Sequence, residues 1–254
     1  MKVSIITSCF NREETIGNTI ESVLSQTYSD IEYIVVDGAS KDSSLSVINQ
    51  YKDNISTIIS EPDHGMYEGI NKGIRVATGD ILGLMHSDDF FYSKDIISHL
   101  VQEFERTNAD LIYGNGLFVN YRDTTRAIRN WKSGTYNRKK MKRGWLPLHP
   151  TVYIKRELIN TFGLYDESFK IAADSEFLVR YMYKANLKIS YLDEYIVRMR
   201  MGGLSTHPSK MKEKWAEDLR LYQNHGFSPY WALGGKILSK IPQFISAQFL
   251  INKS

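Results

Sequence analysis

Residues 32–38, EYIVVDG, run through apolar side chains almost without a break. A strand with one face in water alternates apolar with polar residues, so such a run calls for a strand covered on both faces, as in a parallel sheet. The same β-rich character returns in KVSIITSCF (2–10), ISTIIS (55–60), ILGLM (81–85) and DLIYGN (110–115). Helical patterns separate these runs. One is capped by Asn11, with Glu14 at the capping-box position, and reaches Gln26. A second lies in KDSSLSVINQY, opened by Asp42 or Ser43, and a third runs from Met66 to Ala77. A fourth, over 93–106, sets Ile96, Ile97, Leu100, Val101 and Phe104 on one face. Strands alternating with helices over 1–115 predict an α/β domain with a mainly parallel sheet.

In sheets of this kind ligands sit at the carboxyl ends of the strands. Four polar clusters fall there: Ser8-Cys9-Phe10-Asn11, Asp37-Gly38-Ala39-Ser40, Glu61-Pro62-Asp63-His64-Gly65 and Ser87-Asp88-Asp89. The adjacent carboxylates of Asp88 and Asp89 repel each other. Either the pair faces solvent in a turn or a cation belongs beside it. Asp37 is likewise read two ways, as a turn carboxylate or as an acceptor for a base or ribose. The second half is less regular, with a helix expected over 173–186 opened by Asp174.

Several chemistries are excluded or weakened by what the chain lacks. There is no Gly-rich loop ending in Gly-Lys-Ser/Thr and no G-x-G-x-x-G after the first strand, which argues against common nucleotide devices. No His-Glu-x-x-His or cysteine cluster suggests zinc. Oxygen ligands remain, and Asp88 and Asp89 suit Mg2+ or Mn2+ held together with substrate phosphates. A net charge of +3, from 32 basic and 29 acidic residues, is too balanced to call for nucleic acid. The basic run RNWKSGTYNRKKMKR (129–143) is either a solvated loop or a surface attractive to phosphates and membranes. The lone Cys9 rules out an internal disulfide.

Taken in order, VSIITSCFN, IEYIVVDGASKDSS, SEPDHGMYEGINKGIRVATGDILGLMHSDD and FGLYDESFKIAADSEFLVR resemble family 2 of the glycosyltransferases, covering residues 2 to about 205. The resemblance implies a GT-A fold and an inverting, metal-dependent transfer from a nucleotide sugar, UDP-linked by family frequency. It implies that Cys9, Asn11, Glu14, Asp37 and Ser40 line the nucleotide pocket, with Asn71 and Lys72 beside it and Lys72 able to reach a phosphate. Ser87-Asp88-Asp89 is similar to the family's Asp-x-Asp motif, which makes Asp89 the ligand of Mn2+ or Mg2+ and puts Asp88 near the ribose. Ser87 departs from that motif, so one strong metal contact is expected rather than two. Asp174 stands where the family carries its general base, with Ala173 in place of the usual Glu. His149 is expected to contact acceptor or phosphate, or to serve as a structural hydrogen-bonding residue. Arg180 is expected to support the phosphates or Asp174, or to form a structural ion pair. His207 is a further candidate ligand of the metal or diphosphate.

The expected organisation is a GT-A domain over 1–205, with a nucleotide-sugar half (1–115) and an acceptor half (116–205), followed by a helical tail over 206–254. In that tail Trp231, Leu238, Ile241, Ile245 and Phe249 recur at helical spacing, with Lys236, Lys240 and Lys253 elsewhere and Pro242 interrupting. No 18-residue apolar run is present, so the tail either lies in a membrane interface or packs on protein, its own or that of a second subunit in a homodimer. The expected partners are a nucleotide-sugar donor and a saccharide or lipid-linked saccharide acceptor, at the cytoplasmic face of a membrane. A nucleotidyltransferase and a non-catalytic sugar-nucleotide-binding module are the alternatives.

Overall fold

The computed structural model describes residues 1–202 and 208–251. Among the described residues nine strands form one sheet: β1 (Val3–Cys9), β2 (Ile31–Asp37), β3 (Thr57–Ser60), β4 (Ile81–Leu84), β5 (Phe90–Phe91), β6 (Leu111–Val119), β7 (Ala127–Trp131), β8 (Tyr153–Lys155) and β9 (Ile189–Arg200). Their spatial order is β3-β2-β1-β4-β8-β6-β9-β5, with β7 paired to β6. The pairs β1–β2, β2–β3, β1–β4 and β6–β9 are parallel. Pairs involving β8, β7 and β5 are antiparallel, which is the irregularity foreseen for the second half.

Side-chain alternation along β1 and β2 divides the core into two layers. Ile6, Ile34 and Val36 face α3 (Met66–Val76) and α7 (Ala173–Val179), while Val3, Ile5, Cys9, Tyr33 and Val35 face α1 (Ile16–Leu24) and α4 (Ile96–Thr107). Helix α1 begins four residues later than an Asn11 cap would place it. Asn11 adopts a left-handed conformation at φ 52° and caps nothing. The loose amides instead find partners on the loop leading to α2 (Ser44–Asn49): Asn11 N–H donates to Ser40 Oγ (2.9 Å), Arg12 N–H to Ser44 Oγ (2.7 Å) and Glu13 N–H to Asp42 Oδ2 (3.2 Å). Tertiary contacts thus do what a local cap was expected to do.

The sheet is tied at its opposite edge by Glu32. Its carboxylate accepts bonds from Lys2 Nζ (2.9 Å), Ser4 Oγ (2.5 Å), and the amide and hydroxyl of Thr78 (2.7 and 2.5 Å). Burial alone would raise its pKa, but the hydrogen bonds from Ser4, Thr78 and Lys2 outweigh it and bring the value to about 2. A carboxyl depressed in the fold contributes stability above its unfolded value near 4.5, and that contribution is lost as pH falls toward 2. Glu32→Gln is therefore expected to lower unfolding stability by about 2 kcal/mol at pH 7. In denaturation measured against pH, the gap from wild type should close between pH 4.5 and 2; a gap independent of pH would refute the assignment.

Among the described residues the tail holds three helices: α8 (Met211–Asn224), α9 (Pro229–Leu238) and α10 (Ile241–Ile251). The helical run of the tail breaks over residues 239–240, just ahead of Pro242, which occupies the first turn of α10, where a missing N–H costs nothing. Helix α9 sits against the turn after α5 (Arg138–Met141), with a Cβ at Gly235 falling 2.0 Å from the Arg143 carbonyl oxygen, so only glycine permits this approach. Among the described residues no helix is long and apolar enough to cross a membrane.

Candidate active site

Because β1 to β4 run parallel, the turns after them gather at one edge. The turn after β4 is held on several sides. Thr15 Oγ donates to the Ser87 carbonyl (2.9 Å) and Thr19 Oγ to that of Asp89 (2.7 Å), while Asp89 N–H closes the turn on His86 (3.0 Å). Arg200, the last residue of β9, completes the clasp: its N–H donates to Asp89 Oδ1 (3.0 Å) and its guanidinium to the Asp88 carbonyl (2.5 Å) and Asn18 Oδ1 (2.9 Å). Asp89 is left 1% exposed, and its Oδ2 has no partner among the described residues. Burial, reinforced by the neighbouring Asp88, pushes its carboxyl well above the usual range. Buried carboxylate oxygens without partners are costly, and an incoming cation satisfies them. The residues therefore fit a divalent ion held by one carboxylate plus substrate oxygens. Among the described residues no group of three His, Cys, Asp or Glu forms a complete cage.

The other expected donor-side residues divide into those at the rim and those the fold uses elsewhere. Glu14 is exposed, 3.4 Å from the Tyr121 hydroxyl, and Asn11 accepts a bond from Lys41 N–H (2.8 Å). Asp37 is buried beneath the rim, accepting from Ser40 N–H (3.3 Å) and Ser60 Oγ (2.7 Å), and so shapes the turn that carries Ser40. Three of the expected residues have partners within the framework. Cys9 points into the core opposite α1, because alternation along β1 turns it from the rim; burial first, and Asp37 next, push its thiol up to about 12. Asn71 spends its amide on the Tyr165 backbone (2.9 and 3.0 Å) and Glu167 (2.7 Å). Lys72 is pinned by the Pro62 carbonyl (2.8 Å), Glu61 (3.0 Å) and Glu68 (3.4 Å) instead of reaching toward a phosphate.

Asp63 emerges unannounced from the Glu-Pro-Asp-His-Gly cluster. Its carboxylate lies where a Cβ at Gly38 would sit, 2.5 Å from Oδ2, and accepts from Gly65 N–H (3.1 Å). Burial raises its pKa, and Glu68 and Asp37 add to the effect. The glycines on both sides of it in sequence space were the available signal.

Asp174 opens the first turn of α7 rather than capping it, since the capping position falls on Ala172. It is partly exposed, and its Oδ1 accepts from Ser175 N–H (2.6 Å). Glu217 of α8 fixes the approach by accepting three successive amides, Lys170, Ile171 and Ala172, at 2.7, 2.9 and 2.8 Å. The charge of Asp174 acts on two imidazoles, the half-buried His86 and the buried His149, whose rings lie 6.1 Å apart. Burial holds both below the ordinary histidine value, His149 at about 4, so both are neutral near pH 7. His86 also feels Asp88, which makes the two rings a bridge between Asp88 and Asp174. His149 takes its structural role, bonded to Tyr165 Oη at 2.7 Å. Arg180 pairs with Glu176 (2.7 Å) and donates to the carbonyls of Phe162, Gly163 and Leu164, the ion pair being one of the arrangements expected of it. His207 lies outside the described residues.

The tail reaches this region too. Lys236 of α9 bonds Ser175 Oγ (3.1 Å) and pairs with Asp218 of α8 (2.7 Å), and it acts on Asp174. A lysine off the apolar stripe of the tail is thus part of the wall next to Asp174.

The family model described as glycosyl transferase family 2 matches residues 4–159. An uncharacterized glycosyltransferase of Mycobacterium tuberculosis is 31% identical over 187 residues, 70% of this chain and 68% of that protein. Two solved structures share the architecture. TarS of S. aureus (residues 1–349), in complex with UDP-GlcNAc, superimposes with a TM-score of 0.69 at 19% identity, covering 87% of this chain and 65% of that one, less than two thirds of its length. The mannosyltransferase PcManGT from Pyrobaculum calidifontis, in complex with GDP-Man and Mn2+, gives 0.62 at 15% identity over 93% of this chain and 73% of that one. The architecture is of the GT-A type expected.

Proposed function

Because the chain belongs to glycosyl transferase family 2, and is a glycosyltransferase by that membership, we propose that it inverts the anomeric centre of a nucleotide sugar, UDP-linked in our reading, while passing the sugar to an acceptor hydroxyl. The acceptor we assign is a saccharide or lipid-linked saccharide in the synthesis of a cell-surface polysaccharide, met at the inner face of a membrane. We assign donor binding to residues 1–115, with Asn11, Glu14, Ser40 and Asp88 at the rim over Asp37. Residues 116–205 form the acceptor side, supplemented by the tail.

One observation supports this reading, the contrast between two carboxylates: Asp89 is buried with an oxygen that has no partner among the described residues, and Asp174 is partly open, its charge reaching His86 and His149. An acceptor hydroxyl is a poor nucleophile near neutral pH, so Asp174 takes its proton as the new bond to the anomeric carbon forms. The nucleoside diphosphate departs from the opposite face. Mn2+ or Mg2+ on Asp89 would neutralise charge on that diphosphate when bound. Asp88 holds the ribose side, and Arg200 keeps the turn in register.

Thermal unfolding with UDP, GDP and their sugars, with and without Mn2+, tests the donor assignment. A ligand at a hundred times its Kd should stabilise the fold by about 2.7 kcal/mol, and only with metal present. No metal-dependent stabilisation by any of these nucleotides would refute the proposal.

A further inference from the structure

Across the break at 239–240 the backbone of α9 and α10 keeps turning in one direction. Ser239 N–H donates to the Gly235 carbonyl (2.9 Å) and Lys240 N–H to that of Ile237 (3.2 Å). The two helices therefore share an inner and an outer side. On the inner side Ala232 and Ala247 are buried, Gln243 accepts from Arg129 Nε of β7 (2.7 Å), and Lys236 donates to Ser175 Oγ (3.1 Å). On the outer side Tyr230 and Trp231 are 80% and 79% exposed. Leu238 (64%), Ile241 (55%) and Ile245 (55%) continue the row at helical spacing. Gly234 lies in the same row, and a Cβ there would meet nothing within 4 Å. Exposed apolar residues in this number mark a binding surface rather than an ordinary helix exterior.

The charge beside this row indicates what covers it. Helix α5 and the turn after it expose Arg138, Lys139, Lys140, Lys142 and Arg143, while Met141 among them is buried. That segment is packed directly on α9. A Cβ at Gly144 would fall 2.0 Å from the Ala232 carbonyl oxygen, and one at Gly235 would fall 2.0 Å from that of Arg143. The cations thus lie about one helix width, roughly 10 Å, behind the apolar row. Carboxylates are missing from both parts of the chain: no Asp or Glu occurs over 124–156 or after Asp218. An occupant of this surface has to be apolar where it meets the row and negative next to it.

A second copy of this chain meets the first need and fails the second. Joining two such faces would bring two basic segments together with no acid from either to separate them. The surface of an anionic bilayer meets both. A helix lying in that surface buries its apolar face about 5–10 Å deep, which leaves groups one helix width behind at the level of the lipid phosphates. Adjacent Tyr230 and Trp231 suit this boundary, since each ring is apolar with a polar tip.

We propose that the outer face of α9 and α10 docks in the surface of an anionic phospholipid bilayer, with the basic segment 138–143 against its headgroups. The proposal deepens, and rests on, the reading of an acceptor met at a membrane. It also gives the docked helix a bearing on the site. Lys236, on the inner side, holds the residue next to Asp174, so docking brings Asp174 to the membrane with one side chain between it and the helix.

Co-sedimentation of the full chain with vesicles of phosphatidylcholine alone, and of phosphatidylcholine mixed with phosphatidylglycerol, tests it in the absence of nucleotide and metal. Binding to the mixed vesicles should be tighter by about tenfold or more, and the difference should vanish at about 1 M salt. Trp231→Ser combined with Leu238→Ser should weaken binding to the mixed vesicles by about tenfold or more. Lys139→Glu combined with Lys140→Glu should erase the preference for the mixed vesicles. All four side chains are exposed, so both variants leave the core intact. No binding to either vesicle, equal binding to both, or unchanged binding in either variant would each overturn the proposal. A dimer seen by light scattering that the Trp231 and Leu238 variant splits would give the face to a second copy and overturn it as well. Failure here leaves the metal-dependent donor assignment standing, and failure of that assignment leaves vesicle binding unchanged.

Discussion

Asp174→Asn should lower the turnover of sugar transfer by about a thousandfold or more, the range expected when a general base is lost, while UDP still stabilises the protein in the presence of Mn2+. The two side chains have nearly the same shape, so the bond from Ser175 N–H to the remaining oxygen survives and α7 keeps its first turn. What disappears is the capacity to accept the acceptor's proton. The position of the residue comes from elsewhere, since Glu217 grips the three amides that lead into α7. Glu217→Gln should consequently reduce turnover more mildly, through misplacement, without altering nucleotide binding. Transfer by Asp174→Asn at the wild-type rate would show that another group takes the proton.

Asp89→Asn should act at the other end of the site and fail in a different way. Its amide oxygen can still accept from Arg200 N–H, so the turn after β4 remains closed, and a buried carboxylate without a full set of partners is replaced by a neutral group. The melting temperature without metal should therefore equal or exceed that of wild type. Metal-dependent stabilisation by UDP should vanish, and transfer should fall by about a thousandfold or more as charge on the leaving diphosphate goes uncompensated. The two variants thus separate donor binding from catalysis: one binds without turning over, and the other does neither. Retained metal-dependent nucleotide binding in Asp89→Asn would mean that the ion is held by other residues.

The strands of the first half were legible because a parallel strand covered on both faces leaves a continuous apolar signature, and the strand-end clusters followed from it. Side-chain direction at those ends was less legible. Cys9 stands among rim residues in sequence, yet the parity of β1 turns it inward with Val3 and Ile5. The start of α1 was misread because a cap was sought locally, whereas Ser40, Asp42 and Ser44 across the loop supply the acceptors. Asn71, Lys72 and Arg180 are polar residues in the right stretches whose partners happen to be carbonyls and carboxylates of the framework. Arg200, Glu217 and Lys236 were invisible as site residues, since each acts on a segment between 45 and 112 residues away in the chain.

By itself the sequence determined the alternating α/β sheet, the four turns at its carboxyl edge, and the chemistry of oxygen ligands that Asp88, Asp89 and Asp174 represent. These are properties of local periodicity and residue type, which the chain carries wherever it goes. Only the tertiary structure decided which of those polar groups are free to act. That depends on partners brought from distant segments: a clasp from Arg200 that leaves one oxygen of Asp89 unsatisfied, and a tail helix that sets Lys236 on Ser175, next to Asp174.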